Sequence, residues 1–172
     1  MTHSVEHIRT QDPHYGWVDV RLDEESGELT VEGEAIPSVA IRRARETQLE
    51  VHVPIGTRDH KRLSMTIDGA AARLAPSKGF LTRSSYRVDV YHGSIGYRLV
   101  PVTIGESHLL RSGILSGTYT STGNGVVRVE WADGGAHRPE DAAVGYGLAA
   151  AFGTGAEPMW KLTLDALLTL LP

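Results

Sequence analysis

The 172-residue sequence contains no cysteine, and only three of its 17 basic residues are lysine. The absence of cysteine excludes a disulfide framework, a thiolate nucleophile and every zinc site that uses cysteine. No uninterrupted apolar run reaches the roughly 18–20 residues that a membrane-spanning helix requires. The N-terminus also lacks the apolar run of a secretory signal, so we expect a cytoplasmic protein.

Charge of either sign is modest. The chain carries 21 Asp and Glu against 17 Lys and Arg, for a formal net charge of −4. A mildly acidic protein is poorly suited to the phosphate backbone of nucleic acids, and we predict no nucleic-acid partner. The length suits one domain that can bury a substantial core.

Short stretches of alternating apolar and polar residues recur between residues 17 and 131, separated by turn sequences such as Asp68-Gly69 and Asn124-Gly125. This alternation is typical of half-buried strands, and these turn sequences favour hairpins. We predict an all-β fold, an antiparallel barrel of about twelve short strands that includes a strand at 49–53. Residues 1–15 are predicted to form a flexible N-terminal segment, followed by a single barrel domain over residues 16–172.

Two helices are predicted near the C-terminus. The first covers about residues 139–152, because Pro139 and two acids mark a helix start and Gly153 marks an end. Beyond its first turn this helix has no charged face, so it requires burial on every side, inside or capping the barrel. The second helix, at about 158–171, is amphipathic. Its predicted partner-binding residues are Trp160, Leu164 and Leu168.

Four segments of the chain follow a common rhythm: Ser85-Tyr-Arg-Val-Asp-Val-Tyr-His-Gly, Tyr97-Arg-Leu-Val, Ser112-Gly-Ile-Leu-Ser-Gly-Thr, and Arg128-Val-Glu-Trp before the first helix. This order of strands and helix resembles the superfamily of tubby C-terminal domains, phospholipid scramblases and LURP-one-related proteins, and in particular its bacterial members. The resemblance covers roughly residues 17–152. In the tubby branch, basic side chains on the barrel hold phosphoinositide headgroups, which implies a binding role.

Motifs for catalysis or metal binding are weak. His3-Ser-Val-Glu-His7 has the H-x-x-E-H spacing of some zinc proteases, but it falls in the predicted flexible segment. Residues 145–150 match the dinucleotide pattern G-x-G-x-x-A within a helix, where close packing explains the glycines better. Ser94 lies between two strands and not on the strand-to-helix turn of a nucleophile. We predict no catalytic residue, no metal site and no cofactor.

The strongest charge feature is the arginine cluster Arg42, Arg43 and Arg45. Guanidinium groups bind phosphate or carboxylate through paired hydrogen bonds, although a solvated strand edge explains the same charges. We predict an anion site here, in a binding or scaffold protein without enzymatic activity whose ligand is an anionic lipid headgroup or another protein. Two alternatives stay open: a small carrier barrel or barrel enzyme with a cavity at one end, and a subunit that docks through the second helix.

Overall fold

The computed structural model describes residues 5–79, 82–121 and 127–154. Eleven strands form one antiparallel meander in which each strand is hydrogen-bonded to its neighbours in the chain. The strands are β1 (Val5–Asp12), β2 (Gly16–Asp23), β3 (Glu28–Gly33), β4 (Ile36–Arg43), β5 (Leu63–Ile67), β6 (Ala70–Pro76), β7 (Val88–His92), β8 (Ile95–Thr103), β9 (Glu106–Arg111), β10 (Ile114–Ser121) and β11 (Val127–Trp131). The sheet curls into a nearly closed barrel, and the helix α1 (Pro139–Phe152) follows it. The predicted all-β barrel with a helix at 139–152 is confirmed.

The N-terminal prediction is wrong for the described part of residues 1–15. Val5–Asp12 is a strand that pairs with β2 along its whole length, from Val5 opposite Asp23 to Asp12 opposite Gly16. The alternation of apolar and polar residues does not reveal this strand, because only Ile8 among its inward positions is a large apolar residue. His7 is exposed on this strand, with its Nε2 2.8 Å from the carboxylate of Asp19. His3 lies outside the described residues.

The strand predicted at 49–53 does not form, and the count of eleven strands includes β1, which was not predicted. Residues 44–59 leave the sheet after β4, and we call them the 44–59 loop. Their backbone bonds to itself: Glu50 donates to Gly56 at 2.7 Å, and Gly56 donates to Val53 at 2.8 Å. Val51 is 90% exposed. Residues 49–52 are all exposed and Val53 is half-buried, so the alternating apolar residues of this segment do not form a buried face.

The odd number of strands gives β1 and β11 the same direction where they meet, because every strand of a meander reverses the one before it. Within the described ranges, no backbone register joins these two edges. We call the gap between β1 and β11 the seam. The buried carboxylate of Asp12 bridges it, because it accepts hydrogen bonds from Trp131 Nε1 at 3.0 Å and from the Tyr146 hydroxyl at 2.7 Å. It also accepts the backbone N–H groups of His14 and Tyr15. One side chain therefore links β1, β11 and α1.

Helix α1 occupies the interior of the barrel. Residues 141–149 are all buried, and Leu148 has no exposed surface. Gly145 lies directly against the ring of Tyr119 from β10, and Gly147 lies against Val39 from β4. The two glycines in mid-helix thus permit close packing, in agreement with the preferred interpretation of the G-x-G-x-x-A pattern.

The two ends of the barrel differ in their connections. We call the end of the barrel where α1 begins the helix-start end. Short turns join the strands there, at residues 13–15, 34–35, 68–69, 93–94 and 112–113. The opposite end, which we call the loop end, has the 44–59 loop, the 77–87 connection and the short turn at 104–105, and α1 ends there. There Ile55 donates its N–H to Ala151 at 3.0 Å, and the hydroxyl of Thr154 donates to the carbonyl of Gly105 at 2.6 Å.

Among the described residues, no helix has both the length and the apolar character needed to cross a bilayer. The second predicted helix, with its partner-binding residues Trp160, Leu164 and Leu168, lies outside the described residues.

A cluster of aromatic and imidazole rings covers the seam at the helix-start end. His137 stacks on Trp131 with 4.7 Å between ring centroids, and its Nδ1 lies 2.6 Å from the Tyr15 hydroxyl. The ring of His14 meets His137 edge-on at 4.6 Å. Desolvation, and then the nearby His14, lower the pKa of His137, while Asp141 and Asp12 oppose the shift.

Lowering the pH should weaken this cluster. The folded state binds the His137 proton less tightly than the unfolded chain, so the contribution is complete above the ordinary histidine pKa of about 6.5 and is lost as the pH falls below it. Thermal unfolding between pH 8 and pH 5 should therefore show a falling Tm. His137→Phe, which can keep the stacking on Trp131, should flatten this dependence, whereas the exposed-site control His52→Gln should not. An equally steep dependence in His137→Phe would contradict the assignment.

Gly145→Ala tests the enclosure of α1. The added methyl group would overlap the ring of Tyr119, which is fully buried and packs edge-on against Tyr146. Alanine normally favours a helix over glycine by about 1 kcal/mol, but overpacking costs about 1–3 kcal/mol. We expect a net fall in Tm of several degrees by calorimetry.

Gly147→Ala is the matched control, because its nearest neighbour would be a Val39 methyl group at 3.1 Å, which demands only a small shift. A Tm for Gly145→Ala equal to or above that of Gly147→Ala would contradict the tight contact with Tyr119.

Candidate functional site

The 44–59 loop is fixed at its base by the buried guanidinium of Arg58. This group donates hydrogen bonds to the carbonyl oxygens of Ser77 at 2.7 Å and Tyr86 at 2.8 Å. It also lies over the rings of Tyr86 and Phe152, at 5.6 and 5.4 Å from their centroids. Desolvation lowers the pKa of Arg58 to about 10, and the nearby Glu50 opposes the shift. Arg58 remains cationic at neutral pH and joins the loop to the 77–87 connection and to α1.

The rest of the loop divides into a buried anchor and an exposed crest. Ile55 is fully buried in the core, and the Glu50 carboxylate accepts the N–H of Arg58 at 2.6 Å. On either side of Glu50 in the chain, Leu49 is 57% exposed and Val51 is 90% exposed. Leu49 and Val51 form what we call the apolar crest. Neighbouring apolar side chains that are exposed together mark contact surfaces, and Leu49 and Val51 are two positions apart on one anchored loop.

A groove on one side of the loop, of about 720 Å³, brings together the three predicted anion-binding residues Arg42, Arg43 and Arg45. We call it the arginine groove. It also contains acidic side chains, namely Asp23, Glu25, Glu28 and Glu46. The three arginines therefore lie together, but the four acidic side chains of the groove outnumber them.

The three arginines have different roles in this groove. Arg43 donates to the carbonyl oxygens of Ile55 at 2.7 Å and Glu24 at 3.0 Å, so its guanidinium joins the loop to the β2–β3 turn. Arg42 pairs with Glu28 at 3.3 Å on the surface. Arg45 is exposed, and no ion pair engages it among the described residues. Arg45 is thus the member of the cluster best placed to meet an external anion.

A second groove, of about 490 Å³, lies beside the later part of the loop and is lined by Glu50, Arg58, Asp59, His60, Lys61, Pro76 and Lys78. We call it the lysine groove. It contains both lysines of the described chain. Lys61 and Lys78 are 17 positions apart in the sequence, so no local pattern marks them as a pair. The only sequence signal is the continuation of the basic residues after Arg58.

The helix-start end holds a different set of polar side chains. Glu140 accepts hydrogen bonds from Tyr97 at 2.9 Å and lies 3.0 Å from His92 Nδ1. The fully buried Asp141 accepts from the Ser116 hydroxyl at 2.6 Å and from the N–H of Arg138 at 3.0 Å. Both acids lie in the first turn of α1, where negative charge is favoured, and Asp141 also caps the helix start through the N–H of Arg138.

In the part of the chain that the structure describes, the side chains assemble no site for metal binding or for acyl transfer. No group of three or more His, Asp and Glu side chains there is arranged to hold a metal ion. Ser94 lies in the β7–β8 turn, between two antiparallel strands as the sequence indicates. The two grooves and the crest between them are therefore the candidate functional site.

Arg58→Met tests the anchoring of this site. The variant keeps much of the apolar stem but leaves the carbonyl groups of Ser77 and Tyr86 without their donor, which costs about 1–3 kcal/mol for each buried group that stays unsatisfied. We expect a lower Tm and faster hydrogen exchange at the amides of Glu50 and Gly56, measured by NMR. Unchanged exchange at both amides would show that Arg58 does not fix the loop.

Comparisons with protein-family models, with curated proteins and with solved structures found no match for this chain. The resemblance to the tubby, scramblase and LURP-one-related superfamily therefore stays a prediction. At the loop end, an apolar crest stands between two grooves that contain cationic side chains.

Proposed function

We propose that the protein is a non-enzymatic binding module that docks its loop end onto an anionic membrane surface. The observation that carries the proposal is the exposed apolar crest of Leu49 and Val51, flanked by Arg45 on one side and by the lysine groove on the other. Apolar side chains of this kind enter the boundary between headgroups and acyl chains, while cations beside them attract acidic headgroups. Each basic residue near such a surface contributes about 1 kcal/mol.

The net charge of −4 opposes approach to a negative membrane, but distance and salt reduce the opposition. Electrostatic interactions in water are screened over about 8 Å at physiological ionic strength. A strand of eight residues such as β1 spans about 27 Å, so acids at the helix-start end are several screening lengths away from a membrane at the loop end. The charges nearest the crest therefore dominate. The two grooves together contain six cationic and six acidic side chains, and Arg45, Lys61 and Lys78 are the cations that no ion pair engages among the described residues.

Burial of the crest supplies the second part of the binding energy. Complete burial of a valine or leucine side chain contributes about 1.5–3 kcal/mol, and the parts of Leu49 and Val51 now in water could enter the interface without unfolding the loop. Together with two or three cations, this gives weak and reversible attachment. Arg43 contributes less, because its guanidinium is already bound to carbonyl groups.

The alternatives fit the described residues less well. A carrier barrel needs an open interior, and α1 occupies the interior with buried side chains over residues 141–149. Docking through the second predicted helix involves residues outside the described ranges. An acidic protein partner is the alternative occupant of the same surface, and vesicle co-sedimentation distinguishes it from lipid.

Vesicle co-sedimentation tests the proposal. We expect binding to vesicles that contain about 30% anionic lipid, weaker binding as salt is added, and no binding to neutral vesicles. The double variant Leu49→Ser/Val51→Ser should bind at least about tenfold more weakly, because a loss of about 1.4 kcal/mol corresponds to that factor. Arg45→Gln should weaken binding by a smaller factor.

Two matched controls separate the loop end from the rest of the surface. Ile114→Ser/Leu115→Ser removes two exposed apolar side chains at the helix-start end, and Arg73→Gln removes an exposed arginine from the barrel wall. Both should bind like the unmodified protein. Absence of binding to anionic vesicles, or equal losses in the control and crest variants, would refute membrane docking through the crest and leave a protein partner as the occupant to test.

A further inference from the structure

The lysine groove has an arrangement of charge that docking of the crest does not require. Both of its carboxylates are turned to backbone amides: Glu50 accepts the N–H of Arg58 at 2.6 Å, and Asp59 accepts the N–H of Lys61 at 3.0 Å. By contrast, neither the Lys61 nor the Lys78 ammonium group has an ion-pair partner among the described residues. Both carboxylates keep their negative charge while they bind these amides, so the groove contains three cationic side chains against two acidic ones. Arg58 is bound to carbonyl groups, and the two lysines are the cations left to meet an external anion.

The two lysines also belong to separate connections that Arg58 holds together. Lys61 follows Arg58 by three residues, and Lys78 directly follows Ser77, whose carbonyl oxygen accepts the Arg58 Nε hydrogen at 2.7 Å. The backbone positions of both lysines are therefore fixed relative to one buried guanidinium. A site with fixed backbone positions loses less conformational entropy on binding than one assembled from independent chain segments.

We propose that the lysine groove is a binding site for an anion of the phosphate class, held between the ammonium groups of Lys61 and Lys78. An ammonium group is a compact charge with three donors, which suits the several oxygens of a phosphate. Two ammonium groups match a doubly charged phosphate monoester better than a singly charged carboxylate. The groove, at about 490 Å³, has room for the molecule that bears the phosphate as well.

The ligand could come from two sources with this same chemistry: the phosphate monoester of a lipid headgroup, or a phosphorylated compound free in solution. The site rests on the geometry of the groove alone and does not depend on membrane docking. A test in the absence of lipid therefore separates the failure of this inference from the failure of the proposed function.

Titration with pyrophosphate and with glycerol 3-phosphate, followed by two-dimensional NMR at constant ionic strength, is the first experiment. We expect saturable shifts at the amides of Asp59, His60, Lys61 and Lys78. Lys61→Gln/Lys78→Gln should raise the Kd at least about tenfold. The control Arg9→Gln/Arg73→Gln removes two positive charges from the barrel wall and should leave the Kd unchanged. All four positions are exposed, and circular dichroism verifies that each variant folds.

Absence of saturable shifts with both compounds, or equal weakening in the lysine variant and its control, would overturn the inference.

A second experiment uses vesicles to distinguish the two sources of the ligand, with phosphatidic acid compared against phosphatidylserine at equal surface charge. Lysine-dependent preference for phosphatidic acid identifies a lipid monoester. Binding of the free compounds without that preference identifies a phosphorylated solute.

Discussion

Helix α1 imposes the main constraint on this fold. Its side chains after the first turn are apolar on every face, so in water it is stable only when it is surrounded. A flat sheet covers one side of a helix, and a curled sheet of eleven strands covers all of them. The small residues of α1 allow the barrel to close tightly around it, and Gly145 makes room for the large ring of Tyr119. Sheet curvature, barrel size and helix composition are therefore consequences of one another.

Closing the barrel with eleven strands creates a seam between two edges that run the same way. Side chains replace the missing ladder, and the carboxylate of Asp12 has the central position among them, with donors from β1–β2, β11 and α1. Burial and the bond to Asp12 raise the pKa of the Tyr146 hydroxyl, which keeps it protonated and able to donate. A buried charge with four donors is well compensated, whereas loss of any one would leave it short of a partner.

Sequence reasoning succeeded where the signal is local. Hairpin turns such as Asp68-Gly69 and the helix between Pro139 and Gly153 depend on residues adjacent in the chain. It failed where a polar residue has an inward position, as Asp12 does in β1, since alternation then looks interrupted. It also failed at residues 49–53, where apolar residues alternate but Glu50 serves the loop by accepting the N–H of Arg58.

The candidate site shows the same division between local and distant information. Three arginines within four positions form an obvious cluster, yet Arg43 is used to attach the loop to neighbouring turns. The lysine pair was missed, because only the fold brings Lys61 near Lys78, through the bonds of Arg58 to the 77–87 connection. The proximity of two lysines on different connections depends on long-range packing that a single sequence does not reveal.

The direction of β1 and of α1 has a practical consequence for work on this protein. Val5 lies at the loop end, and α1 also finishes there, with Thr154 bonded to Gly105. A group attached to the described chain at this end shares the face that carries the crest and both grooves, so it competes for space with whatever the protein binds. The Ser112-Gly113 turn, exposed at the far end of the barrel, offers a position for a fluorophore or an immobilising group that leaves that face clear.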